Sequence, residues 1–166
     1  MAPLIRPITA TDGASEFDCG QSDLNTYLRV RAWPNHRDGA ARCFVATQDG
    51  HVIGYYALAA GQVERNLMPG RVRRNMPDPL PAIVLARLAI DLQWQGKGLG
   101  AGLLKDALQR AQSASQIIGA RVLIVHAIDE AAQSFYNHFD FSPFPGEPLA
   151  LFIPLWQAGS RGGRGA

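Results

Sequence analysis

Lysine is scarce in this chain: of its 16 basic residues only Lys97 and Lys105 are lysine, and the rest are arginine. Cysteine is limited to Cys19 and Cys43, with no CxxC pair, which excludes a disulfide framework and a cysteine-based zinc site. The four histidines, His36, His51, His126 and His138, show no HExxH spacing. No apolar run approaches the ~18 residues of a membrane span. The opening "MAPLIRPITATDG" lacks the apolar core of a signal peptide. A length of 166 residues suits one domain with its own core, and 47% hydrophobic with 18% charged residues is an ordinary globular mixture. These absences predict a soluble cytoplasmic protein without a membrane anchor or a metal.

Arginine is what the chain has instead. Its planar fork suits phosphate, although a GC-rich coding sequence enriches arginine too. The net charge is only +2, so position matters more than number. Arg29, Arg31, Arg37 and Arg42 form one basic group. "ERNLMPGRVRRNMPDPLP" (64–81) sets Arg65, Arg71, Arg73 and Arg74 against Glu64 and Asp78. Each group fits a solvated loop as well as it fits a phosphate-binding face.

Patterning predicts the elements. "LIRPIT" (4–9) reads as a strand. "DLNTYLRVRAW" (23–33) spaces Leu24, Tyr27, Leu28 and Arg31 or Ala32 as a helix that Pro34 ends. "RCFVAT" and "HVIGYYALA" flank "QDG" as a hairpin with an Asp-Gly turn. Residues 64–81 read as a loop, with room for one short helix, and "AIVLARLAID" (82–91) as a central strand. A helix over 98–116 places Leu99, Leu103, Leu104, Ala107, Leu108 and Ala111 on one face, with Gly119 as its cap. "RVLIVHAI" (121–128) is a strand, and Asp129 caps the helix of "EAAQSFYNHF". "FSPF" and "LALFIPL" close the domain as strands, and 157–166 reads as a disordered tail. The sum is an α/β fold with a mixed sheet, in one domain over 1–156.

"QGKGLG" (95–100) sets three glycines at alternate positions between a strand and an amphipathic helix. Stripped of side chains at a helix N-terminus, such a backbone can approach phosphate, although the same glycines could serve only a tight turn. A Walker A loop is excluded, because Lys97 is followed by Gly98 rather than Ser or Thr. GxGxxG/A is nominally met by Gly96, Gly98 and Ala101. However, it lies past mid-chain, and the next suitable acid, Asp129, comes too late for a ribose contact. What remains is Gln95-x-x-Gly98-x-Gly100.

That element opens the central helix of GNAT acetyltransferases, and more of the chain resembles one branch of that family. "FDCGQSDLNTYLRVRA" (17–32), "GYYALAA" (54–60), "PLPAIVLARLAIDLQWQGKGLGAGLLKDAL" (79–108) and "VHAIDEAAQSFYNHFDF" (125–141) together are similar to the GNAT toxins of type II toxin–antitoxin systems. The resemblance spans nearly all of 4–155. It implies a GNAT fold, acetyl-CoA as cosubstrate, and acetylation of the α-amino group of aminoacyl-tRNA, which stops translation. It also implies a ribbon–helix–helix antitoxin as partner, DNA reached only through that antitoxin, and a homodimer.

The same resemblance assigns residues. Leu88, Ala89 and Ile90 would offer main-chain groups to the acetyl and pantetheine arm, and Gln95, Gly96, Lys97, Gly98, Leu99 and Gly100 would hold the pyrophosphate. Phe135 joins the cofactor side through the family ending "FYxxFGF", in which this chain has Asp140 for the usual glycine. Aspartate tolerates a left-handed turn, so the turn should survive. Asp129 stands where many relatives carry a cofactor-contacting asparagine, and a carboxylate cannot donate as an amide does. Tyr136 matches the family's general acid. A phenol with an ordinary pKa of about 10 stays protonated at neutral pH and can protonate a departing sulfur. An aromatic packed at a helix end is the plainer role for it.

Arg87, beside the cofactor strand, joins Arg29, Arg31, Arg37, Arg42, Arg71, Arg73 and Arg74 as candidates to meet tRNA phosphate, with the antitoxin as the other contact open to Arg87. His126, among apolar neighbours, reads as a core histidine. Trp33 and Trp94 read as packing residues, and both cysteines as small buried ones. Two other functions fit the same residues: acetylation of a protein or small-molecule amine, and a co-repressor subunit without turnover.

Overall fold

The computed structural model describes residues 3–14 and 16–157; the expected tail lies outside them beyond Gln157. Strands β1 (Leu4–Pro7), β2 (Arg42–Gln48), β3 (His51–Val63), β4 (Leu80–Ile90), β5 (Val122–His126), β6 (Ser142–Phe144) and β7 (Glu147–Pro154) form one sheet. Their order is β1-β2-β3-β4-β5-β7-β6. The pairs β1/β2, β2/β3, β5/β7 and β6/β7 are antiparallel and β4/β5 is parallel, so the sheet is mixed as its pattern predicts. The helices are α1 (Ser22–Thr26), α2 (Ala32–Asp38), α3 (Gly70–Arg73), α4 (Leu99–Ser115) and α5 (Glu130–His138). Contacts gather into two compact units, Met1–Ala59 with Ala86–Ala107 and Ala60–Leu85 with Leu108–Ala166.

In the first unit the β2–β3 hairpin turns on Asp49 (φ 52°) and Gly50 (φ 81°), two left-handed residues that match the strands' twist. A bulge between Ala46 and Thr47 leaves Ile53 without a partner in the register, and its carbonyl accepts the Asp91 N–H at 2.9 Å. The helix expected to stop at Pro34 does not. A π-turn over Tyr27–Arg31 joins α1 to α2, and α2 runs to Asp38. Pro34 is the third residue of α2 and directly follows the π-turn, whose wider winding accommodates a proline that cannot donate to the preceding turn. Gly39 (φ 86°) ends that helix.

Tyr27, Leu28 and Ala32 are buried, so Ala32 rather than Arg31 completes the inner face. Tyr55 is fully buried among them, stacked on Tyr27 and edge-on to Phe17. Burying a ring of this size stabilises by roughly 1.5–3 kcal/mol. Its hydroxyl donates to the Leu24 carbonyl at 2.7 Å, so the ring can be buried without orphaning a polar atom. Cys19 and Cys43 are buried and unbridged, and burial pushes the Cys43 thiol up to about 12, as befits packing residues rather than nucleophiles.

In the second unit β4 pairs with β5 from Ala82↔Val122 to Leu85↔Val125, and β7 covers the other edge of β5. The stretch 64–81 is a loop that carries a short helix, one of the two forms expected of it. A 3-10 turn over Arg65–Leu67 and the short α3 bury Met68 and Val72 in this unit's core. His126 is a correction to its expected core placement: it ends β5 and is exposed, whereas Val122–Val125 are buried.

Helix α4 buries Leu99, Leu103, Leu104, Ala107 and Ala111 as the spacing predicts. It ends at Ser115, and Gly119 is not left-handed. Turn bonds from Gln116, Ile117 and Ile118 finish the helix instead, so Gly119 caps nothing.

Candidate active site

Between β4 and α4 the chain makes a 3-10 turn over Leu92–Trp94. Asp91 caps it, with Oδ1 accepting the Gln93 N–H at 2.9 Å. Gly96 (φ 76°) and Gly98 (φ 85°) then bring the chain to the first residue of α4. A Cβ on either glycine would meet nothing within 4 Å, so the need for glycine is conformational and the space outside is open. Gln95, Gly96, Lys97 and Gly98 are exposed. The first N–H groups of a 17-residue helix lack helical partners, and its dipole favours an anion there. Lys97 Nζ lies 5.4 Å from the centroid of the Trp94 ring and adds positive charge; half-buried Trp94 is its platform.

Gln95 does something the motif does not disclose. Its side-chain amide donates to the carbonyls of Ile90 (2.9 Å) and Cys19 (3.1 Å). It therefore fastens the loop, leaving its main-chain N–H as the group available to a ligand. The segment around Cys19 is tied in further. Asp18 N–H donates to Asp91 Oδ2 (3.1 Å), and Leu92 N–H donates to the Asp18 carbonyl (2.8 Å). Asn25 holds the segment from the other side, donating to Asp18 Oδ1 and accepting the Cys19 N–H, each at 2.9 Å. Asp18, Asn25 and Asp91 are thus positioning residues that sequence reasoning missed. One brace joins the Asp-Cys-Gly…Leu-Asn segment to the end of "ARLAID".

Ala89 is buried in the first unit's core, Leu88 and Ile90 are half-buried, and Leu99 is buried. A cleft of about 460 Å³ in this unit is walled by Glu16, Asp18, Asp49 and Asp91, beside Leu92 and Trp94. That acidic lining does not suit a pyrophosphate.

In the second unit Asp129 caps α5, its Oδ1 accepting the Ala132 N–H at 2.8 Å, which engages the carboxylate assigned to the cofactor. Asp140 takes φ 72°, the left-handed turn expected of it. Tyr136 is buried, edge-on to Phe135 and Phe141 at 5.2 and 5.4 Å. Burial pushes its phenol well above the ordinary range, so it is protonated at neutral pH. Among the described residues, none hydrogen-bonds its hydroxyl.

The basic candidates differ in how free they are. Arg37 is paired with Asp38 through two contacts (2.8 and 3.0 Å), which neutralises it locally. Arg29 bonds Thr26 Oγ1, Arg42 bonds the His36 carbonyl, and Arg31 is exposed. The Arg87 guanidinium lies 4.3 Å from the Tyr27 ring centroid. Arg71, Arg73 and Arg74 are exposed on and just after α3, and among the described residues none forms an ion pair. Trp33 packs against the first unit's core. Among the described residues no helix is long and apolar enough to cross a membrane, and no three His, Cys, Asp or Glu cluster as metal ligands.

Residues 39–143 match the family described as Acetyltransferase (GNAT) domain. The chain is 50% identical over 153 residues, 92% of each chain, to the tRNA-acetylating toxin of Mycobacterium tuberculosis (strain ATCC 25618 / H37Rv). It is similar to AtaT complexed with acetyl-methionyl-tRNAfMet, with a TM-score of 0.86 and 32% identity over 95% of this chain and 98% of that one. AtaTR bound with AcCoA matches with a TM-score of 0.83 and 33% identity, covering 96% and 98%. The AtaT-AtaR complex bound to DNA matches with a TM-score of 0.78 and 32% identity, covering 95% and 98%.

Proposed function

The chain belongs to the GNAT acetyltransferase family, and from that premise we propose that it is a toxin that acetylates the α-amino group of aminoacyl-tRNA and so blocks translation. It is an acetyl-CoA-dependent N-acetyltransferase. The choice of acceptor is carried by one observation, the 50% identity across 92% of both chains to a tRNA-acetylating toxin.

Acetyl-CoA brings an activated acetyl group as a thioester. The loop fits its diphosphate: main-chain N–H groups from Gln95 to Gly100 take the charge, with Lys97 beside them. Leu88 and Ala89 offer main-chain N–H groups to the thioester oxygen, where negative charge develops. Ile90, whose carbonyl already accepts Gln95, and Phe135 border the pantetheine arm. The neutral amine of the aminoacyl ester attacks the carbonyl carbon, the C–N bond forms and the C–S bond breaks. Tyr136 gives its proton to the departing sulfur, and the proton shed by the amine restores the phenol through water. An aminoacyl ester's amine is weakly basic, so no strong protein base is needed. What supports the acid role is a protonated phenol whose hydroxyl no side chain engages.

Arg29, Arg31, Arg42, Arg71, Arg73, Arg74 and Arg87 grip tRNA phosphates, and Arg37 contributes little because Asp38 neutralises it. The partner is a ribbon–helix–helix antitoxin, with DNA reached only through it; AtaT's complex with AtaR on DNA supports that assignment. The protein acts as one domain over 1–156, as a cytoplasmic homodimer. Purified protein with labelled acetyl-CoA should transfer label to charged tRNA and not to peptides or polyamines. Label on small amines alone would discard the proposed acceptor.

A further inference from the structure

Helix α3 has four residues, too few to stand by its own hydrogen bonds. Two anchors hold it. Val72 points into the second unit's core with no exposure. From the outside, Arg121 Nε donates to the Val72 carbonyl at 3.0 Å and Nη2 to the Arg71 carbonyl at 3.4 Å. These are end-of-helix carbonyls that would otherwise lack donors. Arg121 is itself fixed. Its main chain bonds Pro81 and Leu155, and its guanidinium lies 4.3 Å from the centroid of the Trp156 ring.

A brace of this kind does not need three exposed arginines on what it braces. Arg71, Arg73 and Arg74 nonetheless surround it, none ion-paired among the described residues. The nearby Asp78 uses Oδ1 to accept the Arg65 N–H, which steadies the chain rather than neutralising these side chains. Exposed like charges that form no ion pair with the acids of the same stretch are available to an anion from outside, and a fixed turn aims them better than a loose one.

We propose that Arg121 is a positioning residue for substrate: by clamping the carbonyls of Arg71 and Val72 over Trp156 it holds Arg71, Arg73 and Arg74 in the geometry that meets tRNA backbone phosphates. This rests on the tRNA acceptor proposed above. Arg121 acts through those arginines and touches no reacting atom.

The test is steady-state kinetics on charged tRNA with Arg121→Lys and Arg121→Met, each also placed in an Arg71→Ala/Arg73→Ala/Arg74→Ala background. Lysine keeps the charge but cannot fork to two carbonyls and stack as a planar group. Both single variants should raise the KM for charged tRNA about fivefold, the size of one lost hydrogen bond. They should lower the salt slope of tRNA binding by about 1. The kcat and the KM for acetyl-CoA should not move, and in the triple-alanine background Arg121→Lys should add nothing. Wild-type kinetics in Arg121→Lys, or a further loss in the triple-alanine background, overturns the inference while the tRNA acceptor stands. Should Arg121→Met fail to fold, the lysine variant alone decides. Wild-type protein that labels no charged tRNA brings down the acceptor and this inference together.

Discussion

The Gln95 side chain donates to the carbonyl of Cys19, 76 residues earlier, at 3.1 Å. A residue that marks a phosphate loop is thus also the fastening that holds the loop to the segment around the first helix. A second bond to the Ile90 carbonyl closes the turn from inside.

Replacing Gln95 with alanine should therefore loosen the loop without removing any main-chain donor. Stability should fall by about 1 kcal/mol for a lost exposed-to-half-buried hydrogen bond. The KM for acetyl-CoA should rise about tenfold, while the KM for charged tRNA holds. Thermal melting and initial rates at varied acetyl-CoA check both.

Tyr136→Phe removes one oxygen and keeps the ring between Phe135 and Phe141. The expected loss in kcat is about 10²- to 10⁴-fold, with acetyl-CoA affinity and melting temperature close to wild type. Because burial holds the phenol protonated, the wild-type rate should show no decline from Tyr136 ionising between pH 7 and 9. A pH–rate profile of both proteins reads this out.

The His36 Nδ1 accepts the Cys43 N–H at 3.0 Å, a bond that only the neutral ring can make. Burial first, and the Arg42 charge second, hold this imidazole below its ordinary 6.5. The folded value is depressed, so the unfolded chain takes up a proton first as pH falls. The contribution is complete above the ordinary value and is lost as pH drops through the lower folded one. Urea midpoints measured from pH 7.5 down to 5 should fall, and His36→Phe should flatten part of that decline.

Arg31 and Arg37 lie close in sequence yet should behave differently. Arg31→Gln should raise the KM for charged tRNA and lower the salt slope by about 1. Arg37→Gln should do neither, because Asp38 already pairs with that guanidinium. Filter binding across a salt series separates them.

What the sequence disclosed follows from how local each signal is. The Asp49–Gly50 turn, the buried face of α4 and the Asp129 cap depend on neighbours a few residues away, and all three appear as expected. Pro34 misleads because a proline early in a helix and one after its end look alike, and the π-turn before α2 has no composition of its own. Gly119 misleads because α4 unwinds at Ser115 through turn bonds that need no left-handed residue. His126 shares an apolar run with buried strand residues, but it is exposed between buried Val125 and buried Ala127. The brace of Asp18, Asn25, Asp91 and Gln95 is not legible in the sequence, since its bonds cross up to 76 residues and leave no periodicity. The clamp of Arg121 on α3, with |i−j| of 49 and 50, is hidden for the same reason.

Calorimetry of acetyl-CoA titrated into the protein, with Gly98→Val beside the wild type, asks whether the left-handed glycines at the head of α4 hold its diphosphate. A side chain in that conformation costs about 1–2 kcal/mol and tilts the N–H groups away. The wild type should bind one equivalent, and Gly98→Val should bind at least about tenfold more weakly. Heats indistinguishable from dilution in the wild type, or equal affinity in the two proteins, would contradict that role.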